Sequence, residues 1–361
     1  MGVRMKKIYI STYCEWSSYG SVLQSLGLKS ALNDIGCEST ILKDVPFPKF
    51  KKNSFLKSLR SPKNTVKKIL DIPFSKNEKQ IFKKGTDFIK NNIDIEYFNS
   101  YDELCKSHPY ADGYIAGSDQ IWHPALCKEA FFLGFAPKNS KKISYAASMG
   151  VTEVPPENKE KFSRLLKNFN SYSVREKEMV PIVEEITGVI PAVHIDPTFL
   201  LPKDEWRAFQ SKYKTAKPYI LVYAIYWDKA LNAQLKELHL KTGLPIISIQ
   251  SSFRNIYSNK VLSNVGPAEF LWLVDHAEAV ITSSFHGTAF SIIFNKKFSA
   301  VVNPKAKSRI ESLLDTMEIK TPSPVNVISD FNVDYNSVNE KIEQEKKKSL
   351  DYLRSEIFGN Q

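Results

Sequence analysis

Short apolar runs alternate along this chain with longer stretches in which apolar residues recur every three or four positions. Residues 7–11 predict a first strand. Residues 21–34 predict a helix, with Val22, Leu26, Leu28 and Leu32 on its apolar side and Gly36 ending it, and residues 38–42 predict a second strand. Strand, glycine-bearing turn, helix and strand follow the order of a right-handed βαβ unit. Ligands of such units lie beyond the carboxyl ends of the strands, so residues 17–20 are expected to face a cleft. A helix over 78–91 comes next, then a strand within 111–122 that ends in the Gly117-Ser118-Asp119 turn. A strand over 142–147, a helix over 159–168 and a strand over 171–176 running into a helix over 179–186 complete the first half. Residues 194–201 begin an interdomain connection stiffened by Pro197 and Pro202.

The second half restarts the alternation. Strands are predicted over 219–225, 245–250, 279–282 and 298–302, with helices over 230–241, 267–276 and 307–316. Between the third strand and an apolar helix opening near Thr288 lies a polar turn over 283–287. Val338, Ile342, Leu350, Leu353 and Ile357 then mark an amphipathic helix over 335–358. The expected class is α/β, with two α/β domains over 1–200 and 201–334 and a helix in 335–361 packing on the body.

Length and composition support that division. A chain of 361 residues, 42% hydrophobic and 25% charged, can build two cores and is neither disordered nor membrane-spanning. The first apolar run is too short for a signal peptide, and no stretch approaches the ~20 apolar residues of a transmembrane helix. The expectation is a cytoplasmic protein. Cys14, Cys37, Cys105 and Cys127 form no disulfide framework. Cys105 with His108, and His123 with Cys127, have loosely zinc-like spacing, but a strand and a turn motif separate the pairs; neither metal nor cofactor is expected.

Charge adds one feature. The net charge is +11, and between Lys49 and Lys68 stand eight Lys/Arg with no acid, interleaved with Phe50, Phe55, Leu56 and Leu59. This segment reads as a solvated face or as a contact for an anionic membrane surface on the inner side of the cytoplasmic membrane. No recognisable nucleic-acid module accompanies it, so nucleic acid is not an expected partner.

Candidate chemistry gathers at strand ends. A strand feeding a helix through Ser283–Gly287 aims backbone N–H groups and a helix dipole at one spot suited to an anion. His286 in that turn either exchanges a proton with a bound anionic substrate or satisfies a local carbonyl. Asp119 is either a base in the cleft or the cap of the next turn. Arg175, at the end of its strand, forks onto a carboxylate or phosphate or pairs at the surface with Glu176 or Glu178. Tyr226 and Trp227 follow a strand end and are expected to border the cleft between domains.

Six segments in order resemble the polysaccharide pyruvyl transferase family. They are Tyr19-Gly-Ser-Val-Leu-Gln24, Gly117-Ser-Asp-Gln-Ile-Trp122, Ile143-Ser-Tyr-Ala-Ala-Ser148, Ser173-Val-Arg-Glu176, Asp196-Pro-Thr with Leu200-Leu201, and Ser284-Phe-His-Gly-Thr288. The resemblance implies two facing Rossmann-like domains of GT-B type with the active site in the cleft between them. It also implies transfer of pyruvate from phosphoenolpyruvate to a hexose of a bacterial surface-polysaccharide precursor as a cyclic ketal. Such repeats are commonly built on polyprenyl diphosphate, so a lipid-linked acceptor is consistent with it. Under this resemblance Arg175 and His286 hold the donor with Ser284, Gly287 and Thr288. Lys305 is the expected further cation, ahead of Lys307 and Arg309. His286 is the candidate acid or phosphate partner and Asp119 the candidate base. Tyr19, Gly20, Gln120, Trp122, Tyr226 and Trp227 are expected on the acceptor side. A GT-B glycosyltransferase using a nucleotide sugar would share the fold and cleft, and a non-catalytic carbohydrate- or lipid-binding module would not need Arg175 and His286 together.

Overall fold

Lys6–Ser11 (β1) is the strand around which the first half assembles. Its side chains alternate, Ile8 and Ile10 entering one apolar cluster and Tyr9 another, so both faces of the sheet are buried. The computed structural model describes residues 4–50, 72–107, 109–215, 218–225, 229–249, 258–301, 307–319 and 333–359. In it β1 is flanked in parallel by Cys37–Lys43 (β2) and Gly113–Ala116 (β4). Ile95–Tyr97 (β3) and Lys142–Ser144 (β5) close the sheet in the order β3-β2-β1-β4-β5. Isolated parallel bridges, Ile143 to Ser171 and Ala147 to Val174, carry the sheet on to the short pair Ser173–Val174 (β6) and Ala192–Val193 (β7).

The second half has the same parallel plan. Its strands are Ile220–Tyr223 (β8), Ile246–Ile249 (β9), Lys260–Leu262 (β10), Ala279–Thr282 (β11) and Lys297–Ala300 (β12), ordered β10-β9-β8-β11-β12. In each sheet the strand order reverses beside the first strand of its half, β1 or β8, the place where α/β sheets open a ligand crevice.

The helices cover these sheets. In chain order they are Tyr19–Asp34 (α1), Ile72–Asn92 (α2), Tyr101–Ser107 (α3), Pro156–Leu166 (α4), Val180–Thr187 (α5) and Lys203–Ala208 (α6). Lys229–Thr242 (α7), Pro267–Asp275 (α8), Phe285–Ile293 (α9), Lys307–Thr316 (α10) and Tyr335–Phe358 (α11) follow. Helix α1 starts two residues before its predicted position because the Ser18 side chain caps it, accepting from the Ser21 N–H. Helix α9 starts at Phe285 rather than Thr288 for the same reason: Ser284 is its cap, with Oγ accepting from Gly287 N. His286 therefore sits in the first turn of a helix, not in a loop.

The two lobes meet through a seam of aromatic, hydrogen-bond and ion-pair contacts. Tyr19 of α1 stacks on Phe270 of α8 at 4.7 Å, and its hydroxyl donates to the Val265 carbonyl at 3.0 Å. Lys84 of α2 pairs with Glu269 at 2.7 Å and donates to Asn264 O, also at 2.7 Å. Helix α11 reaches from one lobe to the other. Near its start the Tyr335 hydroxyl donates to Lys296 O in the second lobe. Near its end Tyr352 donates to Ser144 O at 3.1 Å, and Glu356 pairs with Lys141 at 2.8 Å in the first.

Several expectations fall on residues outside those described: Lys51 to Lys68 of the basic segment, Tyr226, Trp227, Lys305, and His108 of the loosely zinc-like pairs. Among the described residues, no helix is long and apolar enough to cross a membrane. No group of three or more His, Cys, Asp and Glu stands together as a metal-binding set among them either.

Candidate functional site between the two lobes

Strand ends from both sheets deliver the site. Arg175 follows β6, Asp196 comes three residues after β7, and Ser284 with α9 follows β11. Asp196 is the hub. One carboxylate oxygen caps the short 3-10 turn Pro197–Phe199, accepting from Thr198 N at 3.0 Å and Thr198 Oγ1 at 2.9 Å. The other accepts from Arg175 Nη1 at 2.6 Å and lies 3.6 Å from His286 Nε2, within ion-pair reach but beyond a hydrogen bond. Arg175 also donates through Nε to Glu176 at 2.9 Å, and its guanidinium lies 4.1 Å over the Phe285 ring.

These groups are buried. Side-chain exposure is 0% for Asp196, 4% for Arg175, 5% for Glu176 and 10% for His286. Burial alone would push the Asp196 carboxyl up, but His286, Arg175 and the Thr198 N–H outweigh it and hold it below the usual carboxylate range. Burial likewise works against the Arg175 charge and is outweighed by Glu176, Asp196 and Asp119, which raise its pKa. Among the described residues, Arg175 Nη2, Glu176 Oε2 and His286 Nε2 have no hydrogen-bond partner. Buried polar atoms are nearly always partnered, so three bare ones in a single cluster mark it as a place built for something besides folding.

His286 is positioned by the other lobe. The Gly20 backbone lies so close that a Cβ there would stand 2.0 Å from His286 Nδ1 and 2.5 Å from its Cγ. Only glycine allows α1 to approach the ring this closely. The turn carrying Asp119 is braced from α1 as well. Gln24 donates to Thr12 Oγ1 at 3.0 Å and accepts from Ser118 N at 3.2 Å, while Thr12 donates to Ser118 O at 3.0 Å. Asp119 has φ 70°, its side chain accepts from Gln120 N at 2.8 Å, and its charge acts on Arg175 and Arg309. Gln120 reaches Arg309 of α10, its amide oxygen accepting from Nη1 at 2.5 Å and Nη2 at 3.0 Å once the amide is turned to face the guanidinium.

Some expected site residues stand elsewhere. Trp122 was expected to face an acceptor but is fully buried, stacked 6.0 Å from Phe132 and edge-on to Phe169. Tyr19 is likewise closed off within the seam between lobes. Neither ring presents a face to a sugar; both are large apolar surfaces claimed by the core. The Ser284 and Thr288 hydroxyls are engaged in the start of α9, Thr288 donating to Ser284 O at 3.1 Å. Gly287 packs against Thr282, where a Cβ would stand 2.1 Å from Oγ1. Arg175 pairs with Glu176 as one sequence reading held, but inside the molecule rather than at its surface. Asp196, Glu176 and Gln24 carry the architecture of the site; the sequence reading placed them in the quoted segments, and Glu176 as a partner of Arg175, but gave none of them a role in the site.

Two parallel sheets facing one another across strand ends, with a final helix running between the lobes, define the GT-B type of architecture. Solved structures with this fold include Staphylococcus aureus MnaA with UDP, at 12% identity and a TM-score of 0.53, covering 99% of this chain and 98% of that one. Another is UDP-GlcNAc 2-epimerase from Methanocaldococcus jannaschii, at 11% identity and a TM-score of 0.51, covering 93% and 91%. No curated protein sequence matches the chain. The family model for polysaccharide pyruvyl transferase matches residues 19–304, and the chain belongs to that family.

Proposed function

We propose that the protein transfers pyruvate from phosphoenolpyruvate to two hydroxyls of a hexose in a surface-polysaccharide precursor, forming a cyclic ketal. The observation that carries this reading is the junction of Arg175 and His286 through Asp196 where the two lobes meet. A donor with a carboxylate and a phosphate needs several cations or N–H donors. Two buried carboxylates already compensate Arg175, so the reading assigns the rest to the start of α9, to Arg309 and to Lys305.

The chemistry balances with two proton carriers. His286 gives its proton to the vinyl carbon, and the neighbouring carbon becomes oxocarbenium-like. A first sugar hydroxyl bonds to that carbon while its proton passes to Asp119. The carbon–oxygen bond to phosphate breaks, and the leaving phosphate takes the proton from Asp119. A second hydroxyl closes the ring and returns a proton to His286. In this reading the first lobe holds the acceptor and the second the donor. The protein works in the cytoplasm on an acceptor carried by polyprenyl diphosphate, and the basic segment from Lys49 to Lys68 touches the anionic membrane.

The test is mass spectrometry of candidate glycans incubated with phosphoenolpyruvate. A pyruvyl increment with release of phosphate is expected; transfer from a nucleotide sugar instead would replace this reading with a glycosyltransferase. For the membrane contact, sedimentation with phosphatidylglycerol vesicles should exceed that with neutral vesicles and fall when Lys51, Lys52, Lys67 and Lys68 become Gln. Equal pelleting would remove that part of the reading alone.

A further inference from the structure

Gln24 is an unusual residue for its place. It is 0% exposed inside α1, beside Val22, Leu23 and Leu26, which are buried as apolar residues should be. An amide is tolerated there only if its donors and its acceptor are used. Beyond its own helix Gln24 uses them on two loops. Nε2 donates to Tyr13 O at 2.8 Å and to Thr12 Oγ1 at 3.0 Å, after β1, and Oε1 accepts from Ser118 N at 3.2 Å, after β4. Thr12, having accepted from Gln24, donates its own hydrogen to Ser118 O at 3.0 Å. These partners fix the orientation of the amide, because Tyr13 O can only accept and Ser118 N can only donate.

Ser118 is thereby held at every polar group it has. Its hydroxyl donates to Ala146 O at 2.6 Å and comes within 3.5 Å of Asp196 Oδ2. The next residue is Asp119, whose φ of 70° lies in the left-handed region, uncommon outside glycine. Residues pinned into such a conformation gather where function sets the geometry. One turn earlier on the same face of α1, Gly20 sets the approach to His286. Positions 20 and 24 are about 6 Å apart along the axis, at 1.5 Å per residue. A single helix thus meets the histidine of the second lobe and the aspartate turn of the first.

We infer that Gln24 is a positioning residue: it holds Asp119 at a fixed place relative to His286, so that α1 sets the geometry of both proton carriers. That Asp119 carries a proton rests on the pyruvyl-transfer reading; the hold of Gln24 on its turn does not.

Hydrogen exchange on the substrate-free protein reads the hold. In Gln24→Met, which keeps the length of the side chain without its amide, residues 117–122 should exchange about tenfold faster, as the loss of one net hydrogen bond implies, while β1 and β4 keep their rates. Thr12→Val removes the other half of the clamp and should do the same, should Gln24→Met fold poorly. In either variant kcat for pyruvyl transfer should fall about 10²-fold. The KM for phosphoenolpyruvate should stay unchanged, because Gln24 bonds to Thr12, Tyr13, Ser21 and Ser118, none of them assigned to the donor. Asp119→Asn can keep the hydrogen bond from Gln120 N but cannot take a proton, and adding Gln24→Met to it should slow the enzyme no further. Three results would overturn the assignment: unchanged exchange over 117–122 in folded Gln24→Met and Thr12→Val, an Asp119→Asn enzyme as fast as the wild type, or rate losses that multiply in the double variant. Faster exchange in the variants, with no pyruvyl transfer by the wild type to any glycan, would leave the hold on the turn standing and sink the reaction instead.

Discussion

Gly20→Ala tests the central geometry with a single methyl group. The added carbon would stand 2.0 Å from His286 Nδ1, and ordinary contact begins near 3.4 Å, so ring and helix must separate by 3.4 − 2.0 = 1.4 Å. Helix α1 is not free to yield. Tyr19 is stacked and hydrogen-bonded across the seam, and Gly27, seven residues on from Gly20 and on the same helix face, packs so closely that a Cβ there would lie 2.5 Å from the Pro197 carbonyl, so the helix is seated on this surface at two points along its length. The ring therefore moves, and with it the 3.6 Å approach of Nε2 to Asp196. A misplacement near 1 Å in a catalytic group costs about 10²-fold in rate, and overpacking costs roughly 1–3 kcal/mol of stability. The assay is kcat for pyruvyl transfer beside a thermal melt. A variant that stays folded and turns over within a few-fold of wild type would refute the placement of His286 at the reacting centre.

Three further outcomes are expected. Asp196→Asn keeps the cap on Thr198 but removes the charge facing Arg175, which should cost about 3–5 kcal/mol in thermal or urea unfolding. Because its carboxyl is held low in the folded state, Asp196 contributes stability above about pH 4 that is lost on further acidification; the Asn variant should lack this acid limb, and a wild-type limb would count against the pairing. His286→Gln, which cannot ionise, should bind phosphoenolpyruvate in calorimetry yet turn over poorly, and a near-normal rate would exclude proton transfer by this side chain. His194 is pushed down to about 4, mainly by burial and next by Lys348, so the unfolded chain takes up the proton first: stability should fall from about pH 6.5 to 4 by at most ~1.4 kcal/mol per pH unit. His194→Gln should flatten that slope in urea melts at pH 7 and pH 5, and an unchanged slope would assign it to other groups.

The alternation of periods made the α/β plan legible, because strands buried on both faces and helices packed on them leave different apolar spacings. Ala279–Thr282 and Tyr335–Phe358 stand where periodicity put them. The short strands Ile95–Tyr97, Ala192–Val193 and Lys260–Leu262 gave no such signal, since two or three residues cannot display a period. Arg175 and His286 were legible as residues with chemistry at strand ends. Asp196 was not, because Asp-Pro-Thr is what a capped turn in a connection looks like; only the fold shows that the same carboxylate has a second oxygen facing Arg175. The aromatic residues misled for a related reason: Trp122 lies beside the Gly-Ser-Asp turn in sequence, yet its ring points into the core, and chain proximity does not report which way a side chain faces.

Helix α11 sets a clock on the making of this protein. Tyr352 bonds to Ser144, and these partners are 208 positions apart. Synthesis at ~5–20 residues per second leaves about 10–40 s between their appearance. For that interval the edge near β5 has neither Tyr352 nor Glu356 upon it, and the nascent first lobe must remain soluble without them. Only when α11 has been made can both lobes be held by one continuous rod. The docking of α11 is therefore the step that completes the clasp between them.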